Sequence, residues 1–153
     1  MARLENLVES ERAHLLGLPC PTFEKAPWKT PPPLKKCRIA LISTAGLHKK
    51  DDRPFEMGAN DYRIIPADIE SKDLILSHIS ANFDRTGFQQ DWNVMFPLER
   101  LRDAVDKKEI GSVADYHYSF MGATEPQKME KTARHLAEIM KKDAVDAVLL
   151  VPV

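Results

Sequence analysis

The stretch Ala144-Val145-Asp146-Ala147-Val148-Leu149-Leu150-Val151-Pro152-Val153 is a nearly continuous apolar run that follows an amphipathic helix. Such a run reads as a strand buried on both faces of a parallel sheet. Open α/β sheets place ligands and chemistry just beyond the carboxyl ends of their strands, in the loops that follow. The sequence stops where that loop would start, so the expectation is the first part of a larger protein, cut before a reactive loop.

Working outward, Thr124-Glu125-Pro126-Gln127 has the spacing of a capping box, and Met129, Ala133, Leu136, Ile139 and Met140 follow at helical spacing. Helix then strand is the repeating unit of α/β architecture. Tyr116-His117-Tyr118-Ser119-Phe120 and Ile110-Gly111-Ser112-Val113 read as short strands. Pro97 opens a helix with Leu98, Leu101, Ala104 and Val105 on one face, and Lys107-Lys108 closes it where cations suit the dipole. Between His78 and Asn93 lies a polar loop too long for a simple turn, the kind that is often functional or partly disordered. Arg38-Ile39-Ala40-Leu41-Ile42-Ser43 is a first parallel strand that breaks into the loop Thr44-Ala45-Gly46-Leu47-His48, and Tyr62–Pro66 and Asp73–His78 are further extended pieces.

The expected fold class is α/β, a mostly parallel sheet with flanking helices forming an incomplete domain over residues 37–153. Residues 1–36 form a separate arm. Its opening helix, about 2–16, carries Leu4, Leu7, Val8, Leu15 and Leu16 on a partly apolar stripe suited to docking. Pro19 to Pro33 then hold six of the chain's 11 prolines. Proline fixes φ and removes donors, so this segment runs extended over a surface with Phe23 and Trp28 as pins, or serves as a linker.

Composition excludes several classes. At 153 residues, 43% hydrophobic and 29% charged, the chain is ordinary for a globular protein, and its net charge of −1 offers no footprint for nucleic acid or an anionic membrane. No apolar stretch is long enough to span a bilayer and the first residues lack a signal core, so the expected location is cytoplasmic. Cys20 and Cys37 fit neither a redox pair nor a zinc half-site and read as reduced thiols. The glycine-rich, nucleophile-elbow and zinc-protease motifs are missing.

Three histidines follow or lie in strand candidates: His48, His78 and His117. Imidazoles can move protons, bind a carboxylate when charged, or ligate a metal. If the strand ends converge, these three with Asp84 and Ser119 line a substrate pocket; separate hydrogen-bonded histidines and a metal site are the alternatives. His14 and His135 face solvent. Alternation from Tyr116 to Gly122 sets His117, Ser119 and Met121 on one face and an aromatic core face on the other. Gly46 reads as a turn.

Leu18-Pro19-Cys20-Pro21-Thr22-Phe23-Glu24, Ile42-Ser43-Thr44-Ala45-Gly46-Leu47-His48, Tyr62-Arg63-Ile64-Ile65-Pro66, Asn93-Val94-Met95-Phe96-Pro97-Leu98-Glu99-Arg100-Leu101 and Ser119-Phe120-Met121-Gly122 together resemble, in this order, the glycine/sarcosine/betaine/D-proline reductase selenoprotein B family. The resemblance implies a reductase subunit that cleaves a C–N bond of glycine, sarcosine, betaine, D-proline or a related amine with a dithiol as electron donor. It implies other reductase subunits as partners, one of which carries a pyruvoyl group. It also implies a selenocysteine or cysteine nucleophile after a strand like Val148–Val153, hence after Val153, and no catalytic residue on Cys20 or Cys37. A catalytically inactive binding or interaction protein that keeps the scaffold is the alternative.

Overall fold

Arg38–Ser43 forms β1, a mostly apolar six-residue strand in which Ala40 and Leu41 are fully buried. A computed structural model describes residues 4–18, 22, 29–80 and 83–153, and in it β1 is the axis of the main sheet. On one side β1 pairs in parallel with β7 (Ala147–Val151), Ile39 opposite Ala147 and Ser43 opposite Val151. On the other side it pairs in parallel first with β5 (Ser112–Val113) and then with β6 (Tyr116–Ser119). β3 (Arg63–Pro66) joins β6 antiparallel. The sheet is therefore mostly parallel with flanking helices, as its patterning predicts.

Two apolar clusters cover its faces. On one, Cys37, Ile39 and Leu41 meet Trp92, Phe96, Leu98 and Leu101. The last two belong to α3 (Leu98–Asp106), whose first turn is held by Asn93: its side-chain oxygen accepts the Glu99 N–H at 3.1 Å. On the other, α4 (Pro126–Lys142) lays Leu136, with Met129, Ile139 and Met140, against Tyr118, Phe120 and Ile42. The turn from α4 into β7 is anchored on β1: the Arg38 guanidinium binds the Asp143 carboxylate at 2.6 Å, and the Arg38 N–H binds Asp146 at 2.9 Å. Asp143, ahead of Asp115, holds the Arg38 pKa above its usual value.

Several expectations need correction. Within the described residues β7 is not covered on both faces: Leu150 is 66% exposed and Val148 and Leu149 are also exposed, as expected if the domain is incomplete. Among the described residues β7 has a single neighbour, and α4 packs over β6 and Ile42 instead of over β7. The capping box does not form. Proline is suited to the first helical position, so Pro126 starts α4 and shifts the cap to Glu125, which makes no side-chain cap bond. The Thr124 hydroxyl instead donates to the Ala59 carbonyl at 2.7 Å. The loop Thr44–His48 ends in β2 (Leu47–Lys49), paired antiparallel with β4 (Leu74–Leu76) in a second, two-stranded sheet.

The segment from His78 to Asn93 contains a short helix, α2 (Thr86–Gln90), and a 3-10 turn at Trp92–Val94. In the arm, the opening helix is shorter than the pattern suggests: a 3-10 turn at Leu4–Asn6 precedes α1 (Glu9–Leu16). Leu4, Val8, Leu15 and Leu16 are exposed. The proposed pins Phe23 and Trp28, and Cys20, lie outside the described residues.

Candidate functional site

The carboxyl ends of the parallel strands β1, β6 and β7 meet at Thr44, Gly122 and Val153. The last backbone bond between β1 and β7 runs from the Thr44 N–H to the Val151 carbonyl, 3.2 Å. Beyond it the Thr44 hydroxyl accepts the Val153 N–H at 2.8 Å and donates to the Val153 carbonyl at 3.2 Å. Gly122 donates its N–H to the Thr44 carbonyl at 2.8 Å. A β-carbon on Gly122 would sit 2.7 Å from the Val153 carbonyl oxygen and 2.9 Å from that of Thr44, closer than real Cβ atoms approach. Only glycine fits there. Gly46, at φ +68°, turns the chain away from β1 and donates its N–H to the Phe120 carbonyl at 2.9 Å.

The five residues expected to line a pocket occupy distinct places. Ser119, fully buried, accepts the Leu47 N–H on its hydroxyl at 2.8 Å and so ties β6 to the start of β2. His78 lies beyond the end of β4 with its backbone against Gly46; its ring stacks on Phe83 at 4.0 Å, and its Nδ1 accepts the Ser80 N–H at 3.2 Å. Burial, with Arg85 nearby, lowers the His78 pKa. Thus Ser119 and His78 both border the turn at Ala45–Leu47, close to the strand ends.

His48, opposite Ile75 in the β2–β4 pair, shares its Nδ1 with the Lys49 carbonyl at 2.7 Å. His117 is fully buried in the main sheet, edge-on to Phe96 at 6.2 Å. Its Nδ1 accepts the Leu41 N–H at 3.0 Å. β5 and β6 do not form one continuous strand beside β1, and the imidazole supplies the acceptor that the break between them withholds from Leu41. Burial first, then the Arg102 charge, lowers its pKa to about 4, so the ring is neutral near pH 7. Asp84 is exposed and accepts the Thr86 N–H at 2.9 Å, a bond that lowers its pKa. Among the described residues no cluster of three or more His, Cys, Asp or Glu side chains is placed to hold a metal ion. His14 and His135 are exposed, as read from their helices.

Sequence reasoning assigned no role to Thr44 or Arg63. Thr44 ends a strand as one polar residue among several, and no short-range pattern links it to Val153. Arg63, 4% exposed, donates to the backbone carbonyls of Arg53, Tyr62 and Pro54, pairs with Asp61 at 3.0 Å and lies over the Phe55 ring at 4.2 Å. It organises the 53–62 loop. An open groove of about 540 Å³ runs beside it along β3, past Tyr62 and Tyr116. Lys49 pairs with Asp51 there, and Arg53 with Asp61.

The amino-acid sequence that builds this arrangement matches, over residues 8–153, the family described as glycine/sarcosine/betaine reductase selenoprotein B. The chain belongs to that family. It is 34% identical over 132 residues to the D-proline reductase subunit gamma of Acetoanaerobium sticklandii, covering 79% of this chain and 54% of that protein. It is 31% identical over 140 residues to the glycine reductase complex component B subunit gamma of Symbiobacterium thermophilum, with 86% and 32% covered. It is 27% identical over 139 residues to the betaine reductase complex component B subunit beta of Peptoclostridium acidaminophilum, with 87% and 32% covered. The chain thus spans about half the length of the first of these relatives and about a third of the other two. No solved structure matches it. By these names the family is one of reductase complex subunits, hence of oxidoreductases. No helix among the described residues is long and apolar enough to cross a membrane.

Proposed function

We propose that this chain is the amino-terminal portion of a reductase component B subunit, and that the residue encoded after Val153 is its selenocysteine or cysteine nucleophile. The substrate class is glycine, sarcosine, betaine, D-proline or a related amine. A C–N bond at the α-carbon is replaced by a C–H bond, the nitrogen leaving as ammonia or an amine, or staying in the opened chain for D-proline, while a dithiol supplies two electrons and two protons and ends as a disulfide. One observation carries the placement: Val153 meets both Thr44 and Gly122 at the carboxyl ends of β1, β6 and β7, where open α/β sheets set their chemistry. The family match over residues 8–153 and the partial coverage of the relatives support it.

The residues present suit such a group. Gly122, lacking a side chain, lets its backbone pack directly against Val153, and Thr44 holds the backbone that leads to the next residue. A selenolate there supplies a nucleophile already ionised at neutral pH, where an ordinary thiol near 8.5 is mostly protonated. Other subunits of the complex are the partners, one of them bearing the pyruvoyl group that binds an amino-acid amine. Free thiols and selenols persist in a reducing compartment, which places this chemistry in the cytoplasm.

The nucleotide sequence provides the test. A UGA codon after that of Val153, followed by an in-frame segment with α/β patterning, is the expected result. UAA or UAG at that position overturns the proposal. Full-length, selenium-supplemented protein assayed with a dithiol against the four compounds then assigns the substrate.

A further inference from the structure

We propose that Thr44 is a positioning residue for the residue that follows Val153, an inference that rests on the reading that the nucleophile is encoded there. β1 and β7 exchange backbone bonds up to the Thr44 N–H and the Val151 carbonyl. Past this point β1 turns off: Ala45 bridges to Met121, and Gly46 adopts φ +68°. β7 therefore runs on beyond the end of its neighbour, and the backbone groups of Val153 have no strand to pair with. One hydroxyl replaces the missing ladder, accepting the Val153 N–H and donating to the Val153 carbonyl, which uses the acceptor and donor capacity of a threonine together.

This clasp acts on the next residue through peptide geometry. Once a residue is joined to Val153 the peptide unit is planar, so holding the direction of the Val153 carbonyl would also hold the amide nitrogen that follows and the line along which the next α-carbon departs. Gly122 also bounds this oxygen, with space for no β-carbon, and its own N–H is tied to the Thr44 carbonyl. α4 begins at Pro126, so the positive end of a 17-residue helix follows closely on Gly122. A residue leaving Val153 is thereby aimed from a backbone held by Thr44 and walled by Gly122, the kind of support that catalytic placement requires.

The test uses Thr44→Val, which keeps the shape and loses the hydroxyl, and Thr44→Ser, which keeps the hydroxyl. In the 153-residue chain, hydrogen exchange at the Val153 amide should quicken by about fivefold in Thr44→Val, the factor that corresponds to one net hydrogen bond, and stay near wild type in Thr44→Ser. In a read-through chain with cysteine after Val153, the pH midpoint of its alkylation by iodoacetamide should move in Thr44→Val toward the free-thiol value of about 8.5, and return in Thr44→Ser. Near-UV circular dichroism confirms that each variant is folded; should Thr44→Val fail to fold, Thr44→Ala, which removes the same hydroxyl with less bulk, is read in its place. Unchanged exchange at Val153 shows that the clasp does not exist. Faster exchange with an unchanged alkylation profile shows that the clasp does not position the nucleophile. A UAA or UAG codon after Val153 defeats the functional reading separately, because the exchange measurement does not depend on it.

Discussion

Replacing His117 with leucine removes the acceptor for the Leu41 N–H while keeping the site apolar and filled. At pH 7 the orphaned buried donor should cost about 1–3 kcal/mol. The histidine carries a second, pH-linked term. Its pKa in the fold is lowered to about 4, against about 6.5 in the unfolded chain, so the unfolded state takes up the proton first as pH falls. The stability present above pH 6.5 is lost on the way down to pH 4, and the gap corresponds to about 3 kcal/mol at 1.36 kcal/mol per pH unit. His117→Leu has no such term, and the carboxylates and His78 are common to both proteins and cancel in the difference. The variant should thus be less stable than wild type at pH 7 and equal or more stable at pH 4. Urea unfolding, run at pH 7, 5.5 and 4 and at concentrations where sedimentation shows a monomer, measures the difference. A difference that stays constant from pH 7 to 4 would refute the assignment of a neutral, hydrogen-bonded imidazole at this position.

Two further outcomes follow from the packing. In Gly111→Ala the new β-carbon lies 2.6 Å from the Lys36 carbonyl carbon and 2.9 Å from the Cys37 oxygen, both backbone, so the strand start must shift; a loss of about 1–3 kcal/mol is expected, read as a fall in Tm, and an unchanged Tm would contradict it. The 153-residue chain should self-associate through the exposed edge of β7, and Leu150→Lys, at a side chain 66% exposed, should reduce that association with about 0.5 kcal/mol or less effect on folding. Equal sedimentation profiles for the two at the same concentration would sink the edge argument.

Local patterning carried the reading wherever a contact repeats within one element. Leu98 and Leu101 are buried on α3, and Leu136 on α4, because a helix returns the same face every three or four residues. Alternation likewise set Tyr118 and Phe120 on the α4 side of the sheet and His117 on the other. The pattern failed where one side chain settles an end. Thr124 has the spacing of a cap and the structure gives its hydroxyl to Ala59, 65 residues away; β2 has too few residues to show a period and exists because β4 pairs with it.

What the sequence by itself determined is the class: an α/β chain of the selenoprotein B reductase family, with β1, α3, α4 and β7 legible from period and composition. Tertiary structure alone decided the uses. Among the described residues it left β7 with one neighbour and Leu150 exposed, bound Leu41 to His117 across 76 residues, and closed Thr44 on Val153 across 109. Hydrophobic period reports which face of an element is buried, since that depends on neighbours a few residues apart. A hydrogen bond between strand ends depends on where the chain stops pairing, and that is set by the other strands of the sheet.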